Sequence, residues 1–218
     1  MQKYLIQRFH PNLHIGFVPS VLNGKRLMPI HCQQGTWDSA CGMHCAAIAL
    51  ALLGDIHDVA VLSERRNGVA ARLWRFAQAT YFDGVNVEGL ASVLEDTGTG
   101  RHITYYSGGH AKCLAFVLSH FEQRELVIAS WRSQQGHHHW TLIVGIEGLQ
   151  TGHKFKPSTL LALDPGERAP QLCGYNGRLQ FSVAARRKRA YHPYLSADGY
   201  EVAVKLTSAL SIGTAQIK

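Results

Sequence analysis

Residues 33–53 read QQGTWDSACGMHCAAIALALL and place a Cys-Gly pair directly before a long apolar run. The segment from Cys41 to Leu53 has the composition of a buried helix, and Gly54 is a residue type that commonly follows a helix. A cysteine in the first helical turn faces the positive end of the helix dipole, which favours the thiolate over the thiol. The stretch therefore predicts a reactive cysteine, Cys41, at the start of a buried helix.

Two later segments supply the partners that a nucleophilic cysteine requires. His139 stands at the start of an apolar strand, HWTLIVG, over residues 139–145. A second apolar stretch, LLALDP over residues 160–165, contains Asp164 at its end. A histidine can take the thiol proton, and an aspartate can hold the imidazole in the required orientation. Cysteine, histidine and aspartate in this order predict nucleophilic cysteine catalysis.

This order, with a glutamine shortly before the cysteine and Asp-Pro after the second strand, resembles the papain-like cysteine peptidases over residues 28–166. It is most similar to the leader peptidases of bacteriocin exporters and their free-standing bacterial relatives. The resemblance implies a papain-like α+β fold, with the nucleophile at the start of a central buried helix that packs against a largely antiparallel sheet. It also implies a peptidase that cleaves a peptide or isopeptide bond through an acyl-enzyme, with no metal or organic cofactor.

The glutamine that would help to form the oxyanion hole departs from the family pattern. The family places it six residues before the nucleophile, where this chain has Gly35, whereas Gln34 lies seven residues before Cys41 and Gln33 lies eight before it. We assign the role to Gln34, with the backbone N–H of Cys41 as the second donor. Gly42 would allow the backbone to approach the substrate carbonyl closely.

Two tryptophans near these residues are candidates for substrate binding. Trp37 lies in the loop before the nucleophile, and Trp140 directly follows the histidine. Core packing is the alternative use of both rings. Asp38, in the same loop as Trp37, is expected to be a turn or capping residue.

The other histidines leave two alternatives open. His44 is the alternative base, because it follows Cys41 within the first helical turn. His137 and His139 would share one face of a strand and could bind a metal, but the sequence offers no evident third ligand. We therefore expect no metal site.

The composition is that of a globular protein, with 46% hydrophobic and 17% charged residues. No apolar run approaches the ~20 residues that cross a bilayer, and the N-terminal segment lacks the apolar core of a signal peptide. The expected location is therefore the cytoplasm, with export by a specialised secretion system left open. The five cysteines (32, 41, 45, 113 and 173) lack paired metal-site spacing and favour free thiols in a reducing compartment.

The formal net charge of +7 favours an acidic partner or substrate. The one concentrated basic run is Arg186–Arg189, and a run of this length is more typical of a solvated loop than of a nucleic-acid site. The predicted partner is thus a peptide or protein substrate, acidic if the net charge selects it, and not nucleic acid; no membrane span is expected. The sequence does not indicate an oligomeric state.

The order of elements predicts one domain over residues 1–218, with helices in the first half and strands in the second. We expect residues 1–30 to form an N-terminal segment that precedes the catalytic core, and residues 31–166 to form that core. Residues 167–218 should contain the C-terminal strands and the basic loop. Two functions share these features with the peptidase. One is acyl transfer to an amine by the same triad, as in transglutaminase-type effectors, and the other is an inactive papain-like binding module.

Overall fold

A computed structural model describes residues 2–182 and 191–215. In these ranges the chain forms α1 (Cys41–Leu52), a 3-10 helix (Val59–Glu64), α2 (Gly68–Ala79), α3 (Val87–Asp96) and α4 (His110–Glu122). The strands are β1 (Lys3–Phe9), β2 (Ser20–Asn23), β3 (Arg26–Pro29), β4 (Arg101–Ser107), β5 (Leu126–Ser133), β6 (His138–Thr151), β7 (Lys154–Leu163), β8 (Gly177–Gln180), β9 (His192–Ser196) and β10 (Glu201–Ala215).

Six antiparallel strands close into a barrel in the order β5, β6, β7, β8, β9 and β10, and β10 pairs with β5 again. The two longest strands, β6 and β10, each also pair with one strand outside the barrel. β6 pairs with β5 and β1 along one edge and with β7 along the other. β10 pairs with β9 and β4 along one edge and with β5 along the other.

The predicted papain-like α+β architecture is therefore wrong, because the sheet closes on itself and accounts for most of the regular structure. Register shifts at Ile143/Gly145 in β6 and at Leu206/Ser208 in β10 interrupt the strand ladders. Such bulges bend a strand and increase its twist, which brings the two edges of a sheet together. The apolar pattern of the sequence predicts strands, but it does not reveal these bulges.

Two glycines permit close approach between neighbouring strands. A Cβ added to Gly148 would lie 2.3 Å from the backbone oxygen of Lys156, and one added to Gly177 would lie 2.0 Å from the Tyr194 hydroxyl. A larger residue at either position would displace the neighbouring strand or the buried tyrosine. The barrel thus depends on glycine at these two contacts.

In β5, β6 and β10 both faces are buried over much of the strand length, each in its own hydrophobic cluster. One face packs around α1 and includes Leu126, Ile128, Leu142, Val144 and Leu210. The other face packs with α4 and includes Val127, Ala129, Ile143, Leu160 and Ala209. Burial on both sides explains why the strands carry continuous apolar runs instead of an alternating pattern.

Helix α1 begins at Cys41, as the sequence indicates. None of the helices in the described ranges is both long and apolar enough to cross a membrane. The basic run Arg186–Arg189 lies outside the described residues.

Candidate active site

Three elements bring the predicted triad together. Cys41 is the first residue of α1, His139 is the second residue of β6, and Asp164 directly follows β7. Because Leu142 pairs with Leu163, the end of β7 lies beside the beginning of β6. Helix α1 packs against β6, so its N-terminus reaches the same place.

The side chains of His139 and Asp164 form a short hydrogen bond. His139 Nε2 lies 2.6 Å from Asp164 Oδ1, and the two side chains are 18% and 4% exposed. The Cys41 thiol lies close enough to the imidazole to raise the pKa of His139. Since Nε2 faces the carboxylate, Nδ1 is the ring nitrogen that remains for the thiol. The imidazole therefore lies between an acid and a potential nucleophile.

The electrostatics of this pair favour a charged imidazole. Burial lowers the pKa of His139, but its hydrogen bonds to Asp164 and Cys41 and the charges of these groups outweigh burial and raise the pKa to about 10. Burial raises the pKa of Asp164, yet His139, Tyr194 and the Gly166 N–H together hold it below its ordinary value. An imidazolium beside a cysteine stabilises the thiolate, the nucleophilic form of the thiol.

Three residues that the sequence analysis did not identify hold Asp164 in place. The Tyr194 hydroxyl donates to Oδ2 at 2.5 Å, and the Gly166 N–H donates to Oδ1 at 2.8 Å. Asn176 fixes the backbone, since its Oδ1 accepts from the Asp164 N–H at 2.6 Å and its Nδ2 donates to the Asp164 carbonyl at 2.8 Å. The Gly166 bond is local, two residues after Asp164, whereas Asn176 and Tyr194 are distant in sequence and reach Asp164 only through the fold, so no local motif marks them.

Gln34 lies in the loop that precedes α1, where two hydrogen bonds hold it. Its side-chain amide donates to the backbone carbonyl of Asp38 at 2.5 Å, and its backbone N–H donates to the Pro165 carbonyl at 2.7 Å. One hydrogen of the amide is thus used, and the second remains for another acceptor. Gln33 is exposed. The backbone N–H of Cys41, the second predicted oxyanion donor, lies in the first turn of α1, before the first intrahelical bond.

A cavity of about 820 Å³ opens beside Cys41. Trp140 lines it and donates its Nε1 hydrogen to the Val85 carbonyl at 3.0 Å. Gly42 is needed for this packing, since an added Cβ would lie 2.9 Å from Val85 and 3.2 Å from the Trp140 ring. Trp37 is 86% exposed and is not among the residues lining this cavity. Substrate contacts by Trp37, Gly42 and Trp140 stay predictions.

The alternative base, His44, contacts a different thiol. Its Nδ1 lies 3.0 Å from the sulfur of Cys32, on the segment before the loop. Among residues 2–182 and 191–215, no three histidine, cysteine, aspartate or glutamate side chains lie together in a way that could hold a metal ion. His139, one of the two residues considered for such a site, is instead the partner of Asp164.

The remaining cysteines differ from Cys41 in their surroundings, and all five are free. Burial, with a contribution from Asp38, raises the pKa of Cys32 to about 11. Burial raises the pKa of Cys113 to about 12 and that of Cys45 well above its ordinary value. These three thiols are therefore protonated at neutral pH and are poor nucleophiles.

No protein-family model matches this sequence, and no curated protein matches it. The papain-like resemblance is accordingly one of motif residues alone, since the fold differs. The case for a function depends on the arrangement of Cys41, His139 and Asp164.

Proposed function

We propose that the protein is a cysteine peptidase that hydrolyses a peptide or isopeptide bond. The observation that carries the proposal is the hydrogen bond between His139 and Asp164, with the Cys41 thiol near enough to raise the pKa of the same imidazole. This arrangement provides a nucleophile, a base and a group that orients the base, which are the three parts of nucleophilic acyl transfer.

In the proposed reaction, the Cys41 sulfur attacks the carbonyl carbon and the carbonyl electron pair moves to oxygen. His139 holds the thiol proton and transfers it to the departing amine as the C–N bond breaks. Water then attacks the thioester, gives a proton to His139, and releases the acid while the thiol is restored. Asp164 keeps the imidazole in the orientation that both transfers need.

Two donors near the nucleophile would stabilise the negative oxygen of each tetrahedral intermediate. The backbone N–H of Cys41 lies at the positive end of α1, and Gln34 retains one amide hydrogen that is not bonded to Asp38. Donors that are fixed in advance are worth several kcal/mol in acyl transfer, on the order of 10²-fold in rate for one donor.

The cavity beside Cys41 supports a peptide or protein substrate, since about 820 Å³ exceeds the space that a single side chain needs. Hydroxyl groups of Ser130 and Thr207 line one wall and can hydrogen-bond to a peptide backbone. The charged side chains on the wall are Asp83 and Glu88, so the excess positive charge of the chain lies elsewhere. An acidic partner, favoured by the net charge, would therefore bind outside this cavity.

We also propose that the protein acts in a reducing compartment, the cytoplasm. The five free thiols support this location, because disulfides form readily in oxidising compartments. Trapping of thiols in living cells, followed by peptide mapping, tests the proposal. Recovery of Cys32 and Cys173 as disulfides would contradict it.

Rate-resolved labelling with iodoacetamide tests the Cys–His pair. At pH 6 we expect Cys41 to react first among the five thiols. In His139→Ala its rate should fall by about 10²-fold, because an ordinary thiol is almost fully protonated at this pH. His137→Ala is the matched control, since this neighbouring histidine is exposed and lies outside the triad. Slow, uniform labelling of all five thiols would contradict the proposal and favour a binding module.

A peptide library tests the reaction itself. Wild-type protein should generate new peptide termini that Cys41→Ala does not, detected by mass spectrometry. Addition of a primary amine separates hydrolysis from transfer, since transfer leaves a stable amide between the acyl fragment and the added amine. Amide products in place of free acids would replace the peptidase assignment by that of an acyltransferase.

A further inference from the structure

We propose that Asp38, supported by His44 and Cys32, is a positioning residue that holds Gln34 as an oxyanion donor. We refer to these three residues as the Asp38 network. This inference rests on the proposed function, because a positioned donor has a purpose only if Cys41 attacks a carbonyl. It gives a role to residues that the sequence assigns to a turn and to an alternative base.

The Asp38 side chain ties together the two ends of the loop before α1. Its Oδ2 accepts from the Gly35 N–H at 2.6 Å, and its Oδ1 accepts from the Ala40 N–H at 3.0 Å. Gly35 directly follows Gln34, and Ala40 directly precedes Cys41. The carboxylate is 4% exposed, so water does not compete strongly for these bonds. One side chain therefore fixes the spacing between the glutamine and the nucleophile.

The backbone of Asp38 fixes the orientation of the glutamine amide. Its carbonyl accepts from Gln34 Nε2 at 2.5 Å, which prevents rotation of the amide group. The Gln34 N–H donates to the Pro165 carbonyl, so the same loop is tied to the segment that carries Asp164. The backbone and the side chain of Gln34 are both held, and one amide hydrogen remains for another acceptor.

His44 and Cys32 support the carboxylate from α1 and from the preceding segment. Since the Cys32 pKa is raised to about 11, this sulfur keeps its proton and donates to His44 Nδ1, 3.0 Å away. The His44 proton is then on Nε2, which lies 3.7 Å from Asp38 Oδ1. The imidazole N–H thus faces the negative oxygen and favours the carboxylate in its observed position.

The Asp38 network contains the residue types of a triad, but its chemistry differs from that of Cys41. Burial lowers the pKa of His44 despite the nearby Asp38, so the imidazole is neutral at pH 7. A neutral imidazole beside a protonated thiol provides no thiolate. The adjoining cavity, of about 230 Å³, is lined mainly by apolar side chains such as Met43, Leu62 and Leu73. The network is therefore suited to support the loop and not to a second reaction.

Two reagents separate the oxyanion donors from the nucleophile. Acylation by p-nitrophenyl acetate forms a bond between the Cys41 sulfur and the acetyl carbon, passes through an oxyanion, and releases p-nitrophenolate. Alkylation by iodoacetamide displaces iodide at a tetrahedral carbon and forms no oxyanion. A defect in the loop should therefore slow acylation alone, whereas a defect in the Cys–His pair should slow both reactions.

We expect Gln34→Ala to slow acylation by about 10²-fold, the cost of one oxyanion donor. Asp38→Ala should slow it by at least about 10-fold, since the donor remains but is misplaced. Both variants should keep the iodoacetamide rate of Cys41 within about twofold of wild type, since neither residue contacts the Cys–His pair. Cys32→Ala should slow acylation more than Cys32→Ser, because serine retains the donor to His44.

Cys173→Ser is the control, since this thiol lies outside the triad and the Asp38 network. Circular dichroism and thermal melts establish that each variant is folded. If Asp38→Ala does not fold, the comparison of Cys32→Ala with Cys32→Ser, together with Gln34→Ala, tests the same inference. Equal loss of acylation and alkylation in these variants, or no loss of acylation, would overturn the inference. If His139→Ala retains the wild-type rates of both acylation and alkylation, the proposed function is overturned instead.

Discussion

The Tyr194 hydroxyl donates to Asp164 Oδ2 at 2.5 Å, while Oδ1 of the same carboxylate bonds to His139 at 2.6 Å. Tyr194 belongs to β9 and His139 to β6, so side chains from two strands of the barrel hydrogen-bond to the two oxygens of the aspartate. Burial and the Asp164 charge raise the pKa of Tyr194, which keeps the hydroxyl as a donor. The carboxylate therefore cannot rotate without breaking a buried hydrogen bond.

Tyr194→Phe should lower the free energy of unfolding by about 1–3 kcal/mol, because a buried charged oxygen loses its donor while the ring packing is kept. It should also slow iodoacetamide labelling of Cys41 at pH 6, since Asp164 orients His139 less well. Urea denaturation and the labelling rate measure the two effects. Tyr105→Phe, at an exposed ring on β4, is the control. Unchanged stability and labelling in Tyr194→Phe would show that this bond is dispensable.

The pH dependence of stability should report the charged imidazole. Unfolded His139 loses its proton near its ordinary pKa of 6.5, whereas the folded protein retains it up to about 10. The folded state thus binds more protons in this window, so the free energy of unfolding should fall as pH rises from 6.5 toward 10. The stabilisation is fully present below pH 6.5.

Asp164→Asn should make this decline shallower, because the amide no longer favours the imidazolium. Urea denaturation at pH 7, 8 and 9 measures the slope in both proteins, and the slope is independent of any overall loss of stability. Asp83→Asn, at an exposed carboxylate on the cavity wall, is the matched control. Parallel slopes for wild type and Asp164→Asn would mean that His139 is not held as an imidazolium.

Gly148→Ala should destabilise the barrel by about 1–3 kcal/mol, the usual cost of overpacking. The new Cβ would meet the Lys156 backbone oxygen at 2.3 Å, and a backbone contact cannot relax by side-chain rotation. Gly16→Ala is the control, since a Cβ there has the Val18 oxygen at 4.0 Å as its neighbour. Thermal denaturation compares the two. Equal melting temperatures would indicate that β6 and β7 can separate locally without cost.

The sequence predicts the positions of the triad because each member has a local signal. Cys41 opens an apolar helix, His139 opens an apolar strand, and Asp164 ends another. The pairing of β6 with β7 places His139 beside Asp164. The sequence does not reveal that the sheet closes into a barrel, because β-bulges such as that at Leu206/Ser208 leave no periodic pattern in the sequence.

Local sequence patterns also do not predict the residues that support the site. Tyr194 stands thirty positions after Asp164 and has no motif around it. Asp38 is recognisable as a turn residue, but its bonds to both ends of the loop depend on the folded path of residues 35–40. A local sequence pattern cannot predict contacts that depend on strand register and on the path of the folded chain.

The last described strand, β10, joins β4, β5 and β9, so the barrel is incomplete until the ribosome has released Glu201–Ala215. Cys41 emerges well before His139 and Asp164, its proposed partners, and contacts between segments far apart in sequence form late in folding. A nascent chain stalled before Glu201 should therefore carry Cys41 as an ordinary thiol, with the alkylation rate of a free cysteine. The order of translation would thus keep the proposed nucleophile inactive until the whole barrel has formed.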